Sequence, residues 1–179
     1  FHANFVPRRD VSFDWSKPVD GSNPATEWGA PFSVEESPHV LNPASGWLFN
    51  TNNWPYSAAG ANSPKQSDFP KYMDTGEENA RGLHAIRVLQ RTHDFTLESL
   101  IGAAYDSYLS GFEILLPPLL TSYDQTPANN PLKTRLAEQI AVLRDWDLRW
   151  AERSVATTLA IFWGDTLKRM VAKDSGSED

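Results

Sequence analysis

The chain has 179 residues, which suits one domain or one and a half, and 40% of them are hydrophobic, so we expect a packed core rather than disorder. It contains no cysteine, which excludes disulfides and thiolate metal sites. Its formal net charge of −7 disfavours nucleic acid and anionic membranes as partners, and no apolar run is long enough to cross a membrane.

The first part of the chain, residues 1–75, is predicted to be a loop-rich, partly β segment. Nine of the thirteen prolines and four of the seven tryptophans lie in it, and no helical periodicity is visible. Residues 1–6 and residues 47–50 are the two candidate strands. Extended segments as long as those around them are uncommon in compact domains and usually indicate function or a missing partner.

The second part, residues 76–173, is predicted to be a helical lobe, because apolar residues recur there at steps of three and four. Helices are expected over residues 77–91, 97–116, 131–150 and 155–172. The fold class is therefore α+β and mostly helical, and residues 174–179 are expected to form a disordered tail.

Capping and breaking residues refine these helices. Thr96 is a candidate N-cap, and Asn130 followed by Pro131 has the pattern of a cap with proline at the first helical position. The pair Pro117–Pro118 is expected to kink or end its helix. The last helix is predicted to begin at Ser154 and to bury four residues: Val155, Leu159, Phe162 and Trp163.

Standard catalytic and metal-binding motifs are absent from the sequence. The four histidines do not show metal-ligand spacing, and neither a nucleophile elbow nor a phosphate-binding glycine loop is present. The acidic pairs Glu35–Glu36 and Glu77–Glu78 consist of adjacent residues, which do not face each other on a helix, so they are interpreted as solvated faces or caps. No self-sufficient active site emerges from spacing alone.

One stretch, NPASGWLFNTNNWPY at residues 42–56, sets short amides among large aromatic rings. Asn50, Asn52 and Asn53 fall within four positions, with Trp47 and Trp54 on either side. Asparagine is common in turns because it tolerates left-handed backbone angles. An amide held rigidly among rings is also a good hydrogen-bond donor. The residues themselves leave both interpretations open.

This stretch resembles the penicillin acylase family of N-terminal-nucleophile amide hydrolases, which includes acyl-homoserine-lactone and cephalosporin acylases. The shared pattern is Asn42-Pro43, Gly46-Trp47, Asn50-Thr51-Asn52 and then Pro55. The similarity extends upstream into FVPRRD and downstream into YMDTGEENARGLHAIRVL, residues 72–89.

The resemblance implies roles for individual residues. Asn52 would donate its side-chain N–H to the oxyanion, while Asn50 and Asn53 would serve in turn and backbone roles. Arg81 would lie near the catalytic centre and hydrogen bond to the carbonyl oxygen of Asn52, so that the N–H₂ group faces the oxyanion. Trp47 and Trp54 would pack around that amide, exclude water and contribute to substrate binding.

The resemblance also implies that these residues are part of the large chain of a longer enzyme with a four-layered αββα fold. The nucleophile, an N-terminal serine, would lie on another segment, and the chain alone would be inactive. Its partners would be a small N-acyl amide substrate and the rest of its own precursor, which includes the small chain. Unpaired strands at residues 1–6 and 47–50 would favour self-association. The family resemblance places the protein in the periplasm or outside the cell.

No catalytic cofactor and no metal ligand are expected from the sequence. Many family members bind a structural calcium, and Asp68 and Asp74 lie in a suitable region. Their spacing departs from the family pattern, so neither is assigned.

The rival interpretation is a non-catalytic, aromatic-lined helical binding module, in which the asparagines only shape a turn. A glycine–serine processing site in the upstream sequence would decide in favour of the acylase. The sequence leaves the acyl and leaving groups open, and β-lactam, lactone and peptide-like amides all remain candidate substrates.

Overall fold

A computed structural model describes residues 6–174 of the chain, and the regular structure in that range is helical. The helices are α1 (Ala80–Arg91), α2 (Leu97–Ala104), α3 (Ser110–Gln125), α4 (Pro131–Arg135), α5 (Ala137–Arg144) and α6 (Val155–Asp174). The chain divides into two compact units, Phe1–Asp94 and Phe95–Asp179. The helix α1 therefore belongs to the loop-rich unit, although composition groups it with the helical part.

The first unit consists of loops, short 3₁₀ turns and α1. Side-chain hydrogen bonds stabilise its turns: the carboxylates of Asp10, Asp14 and Asp20 each accept a bond from the backbone N–H of the serine two residues further on. Hydrogen bonds from these serines lower the pKa of all three carboxyl groups. Local bonds of this kind allow an irregular segment to hold a shape without a β-ladder.

The predicted partly β character is not found in the described residues. Their β-pairing is limited to two isolated antiparallel bridges, Pro7 with Pro31 and Tyr108 with Arg149. Residues 47–50 do not form a strand: the Phe49 N–H bonds to the Ala58 carbonyl at 3.0 Å, and a proline-led 3₁₀ turn at Pro55–Ser57 reverses the chain before a ladder can extend. Most of the other predicted strand, residues 1–5, lies outside the described residues.

The helix α1 begins at Ala80 rather than at residue 77. Asn79 is its N-cap: the backbone there is extended, and the side-chain oxygen accepts a hydrogen bond from the Gly82 N–H at 3.0 Å. Capping by asparagine satisfies a backbone donor that would otherwise lack a partner. Residues 77–79 therefore lie before the helix rather than inside it.

The predicted helix over residues 97–116 is two helices. Thr96 caps α2, with a reciprocal capping box to Ser99, as the sequence indicated. The chain then leaves the helix after Ala104, because Leu109 N–H bonds to Leu148 O at 2.7 Å and Trp150 N–H bonds to Ser107 O at 3.0 Å. Pairing with a distant segment overrides the local helical periodicity here.

The double proline does not end a helix. Pro117 and Pro118 lie inside α3, which continues to Gln125. Both prolines are exposed, while Phe112 and Leu116 on the preceding turns are buried. Packing of that apolar face keeps the helix formed across two positions that lack an N–H donor.

The second unit has a small aromatic and aliphatic core. Phe112, Leu116, Leu143 and Ala160 are buried together, and the rings of Phe112 and Trp146 meet edge to face at 5.3 Å. The partly buried residues around them are Leu109, Leu119, Trp146, Leu148, Leu159 and Trp163. This core is supplied by α3, α5, α6 and the loop after α5.

Several predictions in this unit need correction. The helix predicted over residues 131–150 is divided into α4 and α5 and ends at Arg144. The predicted Asn130–Pro131 start is confirmed, and so is a final helix across residues 155–172. Val155 and Phe162, which were predicted to be buried, are 70% and 72% exposed.

The predicted disordered tail lies outside the described residues from position 175 onward, and Asp174 is the last residue of α6. Among the helices in the described range, none combines the length and hydrophobicity that a membrane crossing requires.

Candidate functional site

The asparagine cluster forms a tight loop with a left-handed backbone at its centre. Asn52 has φ 57°, and its backbone N–H donates to the side-chain oxygen of Asn50 at 3.0 Å. Asparagine is among the few residues that adopt this conformation readily. The turn role predicted for Asn50 is confirmed.

Arg81 makes the hydrogen bond to Asn52 that was expected. Its Nη1 donates to Asn52 Oδ1 at 3.3 Å, across 29 positions of sequence. A guanidinium carries donors only, so the amide atom that faces it must be the oxygen. The first turn of α1 thus fixes which way the Asn52 amide points.

This orientation leaves the N–H₂ group of Asn52 available. Within residues 6–174, its Nδ2 atom has no hydrogen-bond partner, and both Asn52 and Arg81 are exposed. Exclusion of water from this amide by aromatic neighbours was expected in the complete protein and stays a prediction. An oriented but unengaged amide donor is what a site for a developing negative charge needs.

Asn53 does more than the predicted turn and backbone role. Its Oδ1 accepts hydrogen bonds from the Thr51 N–H at 3.0 Å and from the Thr51 hydroxyl at 3.1 Å. Its Nδ2 donates to both carboxylate oxygens of Glu78, at 2.9 and 3.1 Å, and to Ser57 Oγ at 3.2 Å. Asn53 therefore connects the loop to the residues that precede α1.

The N-cap of α1 adds a further connection. While Asn79 Oδ1 caps the helix, Asn79 Nδ2 donates to the Thr51 carbonyl oxygen at 3.2 Å. Three consecutive loop residues are thus bonded to the start of α1: Thr51 to Asn79, Asn52 to Arg81, and Asn53 to Glu78.

Trp47 and Trp54 both lie beside this loop in half-buried positions. The Trp47 ring packs against Phe49 at 6.2 Å, and the Trp54 ring meets Tyr56 edge to face at 5.7 Å. These contacts place the two indoles in the aromatic packing around the loop. Their packing on the Asn52 amide and their role in substrate binding stay predictions.

Trp47 also lines an open cavity of about 430 Å³. The remaining lining residues are Val40, Leu41, Asn42, Pro43, Gly46 and Leu48. Positive φ angles at Asn42 and Gly46, 48° and 74°, shape the turn beneath it. Its wall is mainly aliphatic and aromatic, as expected of a pocket for an apolar group.

Asp68 and Asp74 do not form a calcium site with the residues described. Asp74 Oδ1 accepts a hydrogen bond from the Gly76 N–H at 2.7 Å. Across residues 6–174, no three histidine, aspartate or glutamate side chains come close enough together to hold a metal ion. Since calcium takes six or more oxygen ligands, these two carboxylates alone do not fit it.

Tyr56 packs on Phe69 beside the asparagine loop. Burial and the nearby Asp74 carboxylate raise the pKa of its hydroxyl group.

The sequence interpretation missed Glu78 and Asn79. Glu78 was treated with Glu77 as a solvated pair or a cap, and Asn79 was placed inside a helix. Asparagine is a preferred N-cap, so Asn79, placed shortly before the periodic apolar residues Leu83 and Ile86, carried a usable signal for the start of α1. The bond from Glu78 to Asn53 spans 25 positions and had no local signal.

A protein-family model described as penicillin amidase matches the chain over residues 1–177. The match covers nearly the whole chain and includes both the asparagine loop and α1. It agrees with the family to which the motif at residues 42–56 pointed. The chain belongs to the penicillin amidase family, which implies amide hydrolysis of the acylase type for the complete protein.

Proposed function

We propose that the complete protein hydrolyses the amide bond of an N-acyl substrate, and that Asn52 donates a hydrogen bond to the oxyanion of the tetrahedral intermediate. The observation that carries this proposal is the bond from Arg81 to Asn52 Oδ1, which leaves the Asn52 N–H₂ group oriented and unengaged. A neutral amide suits this task because it offers two donors and cannot act as a competing base.

The reaction proceeds by acyl transfer to a serine at the N-terminus of another segment of the protein. The serine hydroxyl attacks the amide carbonyl carbon, and the serine's own α-amine takes the hydroxyl proton, directly or through a water molecule. The carbonyl oxygen becomes an oxyanion that accepts a hydrogen bond from Asn52 Nδ2. The C–N bond then breaks as the leaving nitrogen receives the proton. Water hydrolyses the resulting ester and releases the acid.

Arg81 orients the amide and adds positive charge near the reacting atoms. A guanidinium remains protonated at any physiological pH, so this charge is permanent. It favours the free-base form of the nearby α-amine and the developing negative charge on the oxyanion. Both effects are expected to raise the rate of the attack step and to change the affinity for the substrate less.

The substrate class is an N-acyl amide such as a β-lactam antibiotic or an acyl-homoserine lactone. The cavity beside Trp47 supports an apolar acyl group, since Val40, Leu41 and Leu48 line it. Trp54 does not line this cavity, and its proposed contribution to substrate binding rests on its place beside the asparagine loop. We place the enzyme in the periplasm or outside the cell, where such compounds are encountered.

The test is a pair of isosteric substitutions in the complete, processed protein. Asn52→Asp keeps a residue that tolerates φ 57° and keeps an acceptor for Arg81, but it removes the N–H donor. We expect kcat for a chromogenic acyl anilide to fall by on the order of 10²-fold or more. Alanine is a poorer choice, because a left-handed alanine costs about 1–2 kcal/mol of strain.

The matched control is Asn50→Asp, which introduces the same charge two residues away and keeps the side-chain oxygen that accepts from the Asn52 N–H. We expect its kcat to stay within about fivefold of the unsubstituted enzyme, because the Asn52 donor is retained and interactions between exposed charges are worth less than about 1 kcal/mol. Equal losses for both variants would show that added charge, rather than the lost donor, is responsible and would reject the role of Asn52.

A further inference from the structure

We propose that Glu78 is a positioning residue for this site: its carboxylate holds Asn53, and through Asn53 the loop that presents Asn52, against the start of α1. The inference rests on the proposed function of Asn52. It assigns a role to a residue that touches neither substrate nor the reacting atoms.

The Glu78 carboxylate is the point at which three donors from separate parts of the first unit converge. Asn53 Nδ2 donates to both oxygens, at 2.9 and 3.1 Å, and the Asn79 backbone N–H donates to Oε1 at 2.8 Å. The Ser57 hydroxyl donates to Oε2. A carboxylate has room for about four such bonds and no donor of its own, so every one of these contacts has the correct polarity.

The polarity of the carboxylate is what orients Asn53. Because Glu78 offers acceptors only, the Asn53 amide must turn its N–H₂ toward it. The amide oxygen is then left to accept from the N–H and hydroxyl of Thr51. Thr51 and Asn53 flank Asn52 on either side, so this chain of bonds fixes the backbone on both sides of the left-handed residue.

Glycine at position 82 makes space for this arrangement. A Cβ atom built on Gly82 would lie 1.8 Å from Glu78 Oε1. The carboxylate can therefore fold back over the first turn of α1 only because position 82 has no side chain. The N-terminal end of a helix also favours a negative charge. Gly82, Glu78 and the helix start therefore form one support beneath the loop.

Glutamine is the informative substitution, because it has nearly the same shape as glutamate. In Glu78→Gln one carboxylate oxygen becomes an N–H₂ group, which faces donors and weakens the contact with Asn53. The matched control is Glu77→Gln, which removes the same charge at the exposed neighbouring position. A second variant, Ser57→Ala, removes a hydroxyl that contacts both Glu78 and Asn53, and it leaves the direct bonds between Asn53 and Glu78 in place.

The first readout is amide hydrogen exchange in the 179-residue chain, and it needs no catalytic activity. We expect Glu78→Gln to raise the exchange rate of the Thr51 amide by about tenfold. The Asn53 oxygen that accepts from this amide is then held less firmly, and the hydrogen bond is weaker. Glu77→Gln should leave that rate unchanged. Unchanged exchange at Thr51 in Glu78→Gln would overturn the inference, whatever the activity of the Asn52 variants.

The second readout is kinetic and uses the complete, processed protein. We expect Glu78→Gln to lower kcat by about tenfold while KM stays within about threefold, and Glu77→Gln to change neither. If Asn52→Asp abolishes turnover while Glu78→Gln leaves kcat intact, the positioning role is wrong and the proposed function stands. Ser57→Ala should lower kcat by less than Glu78→Gln, because both direct bonds from Asn53 to the carboxylate remain. An equal loss would show that the serine, rather than those bonds, positions Asn53, and would overturn the inference.

Discussion

Asn52 combines two properties at the scale of the single residue, a left-handed backbone and an amide held by a charged partner. The φ angle of 57° limits the position to glycine, asparagine or aspartate without strain. The bond from Arg81 then selects an oxygen acceptor, which leaves asparagine as the residue that also supplies a neutral N–H donor. Backbone and side chain therefore specify the same amino acid for independent reasons.

Arg81 should act through Asn52, and a double-mutant cycle can measure that coupling. We expect Arg81→Met to lower kcat by on the order of 10- to 100-fold in the complete enzyme, because a hydrogen bond from a charged donor no longer orients the amide. In an Asn52→Gly background, which keeps the left-handed backbone, the same change should lower kcat markedly less, and the remaining loss measures the direct effect of the Arg81 charge.

The control for that cycle is Arg91→Met, which removes one exposed positive charge from the last turn of the same helix. It should leave kcat unchanged. A loss from Arg81→Met that is equally large with and without the Asn52 amide would show that Arg81 acts independently of Asn52.

Residue roles could be predicted from the sequence where a short motif indicates them. Roles that depend on contacts with distant residues were missed. Asn50 and the Arg81 bond to Asn52 were predicted from the motif at residues 42–56 and from the family resemblance. Asn53 was assigned only turn and backbone roles, and its bonds to Glu78 were missed because Glu78 lies 25 positions away. A pairing of that kind has no periodic or local signal.

The start of α1 is the element on which the site depends. Its N-cap, its first arginine and the residue that precedes the cap each bond to one residue of the asparagine loop. A helix is a rigid support, and three bonds to one end of it hold a loop more firmly than three bonds to separate elements would. The order Glu78-Asn79-Ala80-Arg81-Gly82 therefore acts as one structural unit.

Gly82 provides a test of this element that needs no activity assay. Gly82→Ala should lower the thermal midpoint of the 179-residue chain, because its Cβ must displace the Glu78 carboxylate from its hydrogen bonds. The loss should be about 1–3 kcal/mol, typical of a charged group that loses its hydrogen-bond partners.

The matched substitution is Gly102→Ala in α2, where a new Cβ meets nothing within 4 Å. Alanine there should stabilise the helix by about 0.5–1 kcal/mol, the usual difference in helix propensity. Thermal unfolding monitored by circular dichroism checks both variants. If Gly82→Ala were as stable as Gly102→Ala, the fold would not depend on the carboxylate beneath the loop.

Helix existence could be predicted better than helix boundaries. Caps at Thr96 and Asn130 were visible in the sequence, since they depend on one residue and the turn that follows it. The break between α2 and α3 was not visible, because the segment from Ser107 to Leu109 pairs with residues about forty positions later. The same applies to Pro117, where burial of the neighbouring turns outweighs the missing N–H donors.

At the scale of the whole molecule, each of the two units shows a different balance of forces. Side-chain bonds from asparagine, aspartate and serine hold the first unit, whereas a compact core around Phe112 and Leu143 holds the second. The left-handed loop of the candidate site therefore lies where polar contacts, rather than periodic packing, determine the backbone. This explains why hydrophobic periodicity predicted much of the second unit and little of the first.

Family membership and the oriented Asn52 amide lead to one central proposal, that this amide donates a hydrogen bond to the oxyanion of an acyl-transfer reaction. The most direct measurement is a crystal structure of the complete, processed protein with a phosphonate analogue of the tetrahedral intermediate bound to its nucleophile. The account predicts a distance of about 2.7–3.1 Å between Asn52 Nδ2 and the oxygen that mimics the oxyanion, with the Arg81 contact to Asn52 Oδ1 retained. An oxyanion held entirely by other donors, with Asn52 Nδ2 more than about 4 Å away, would contradict it.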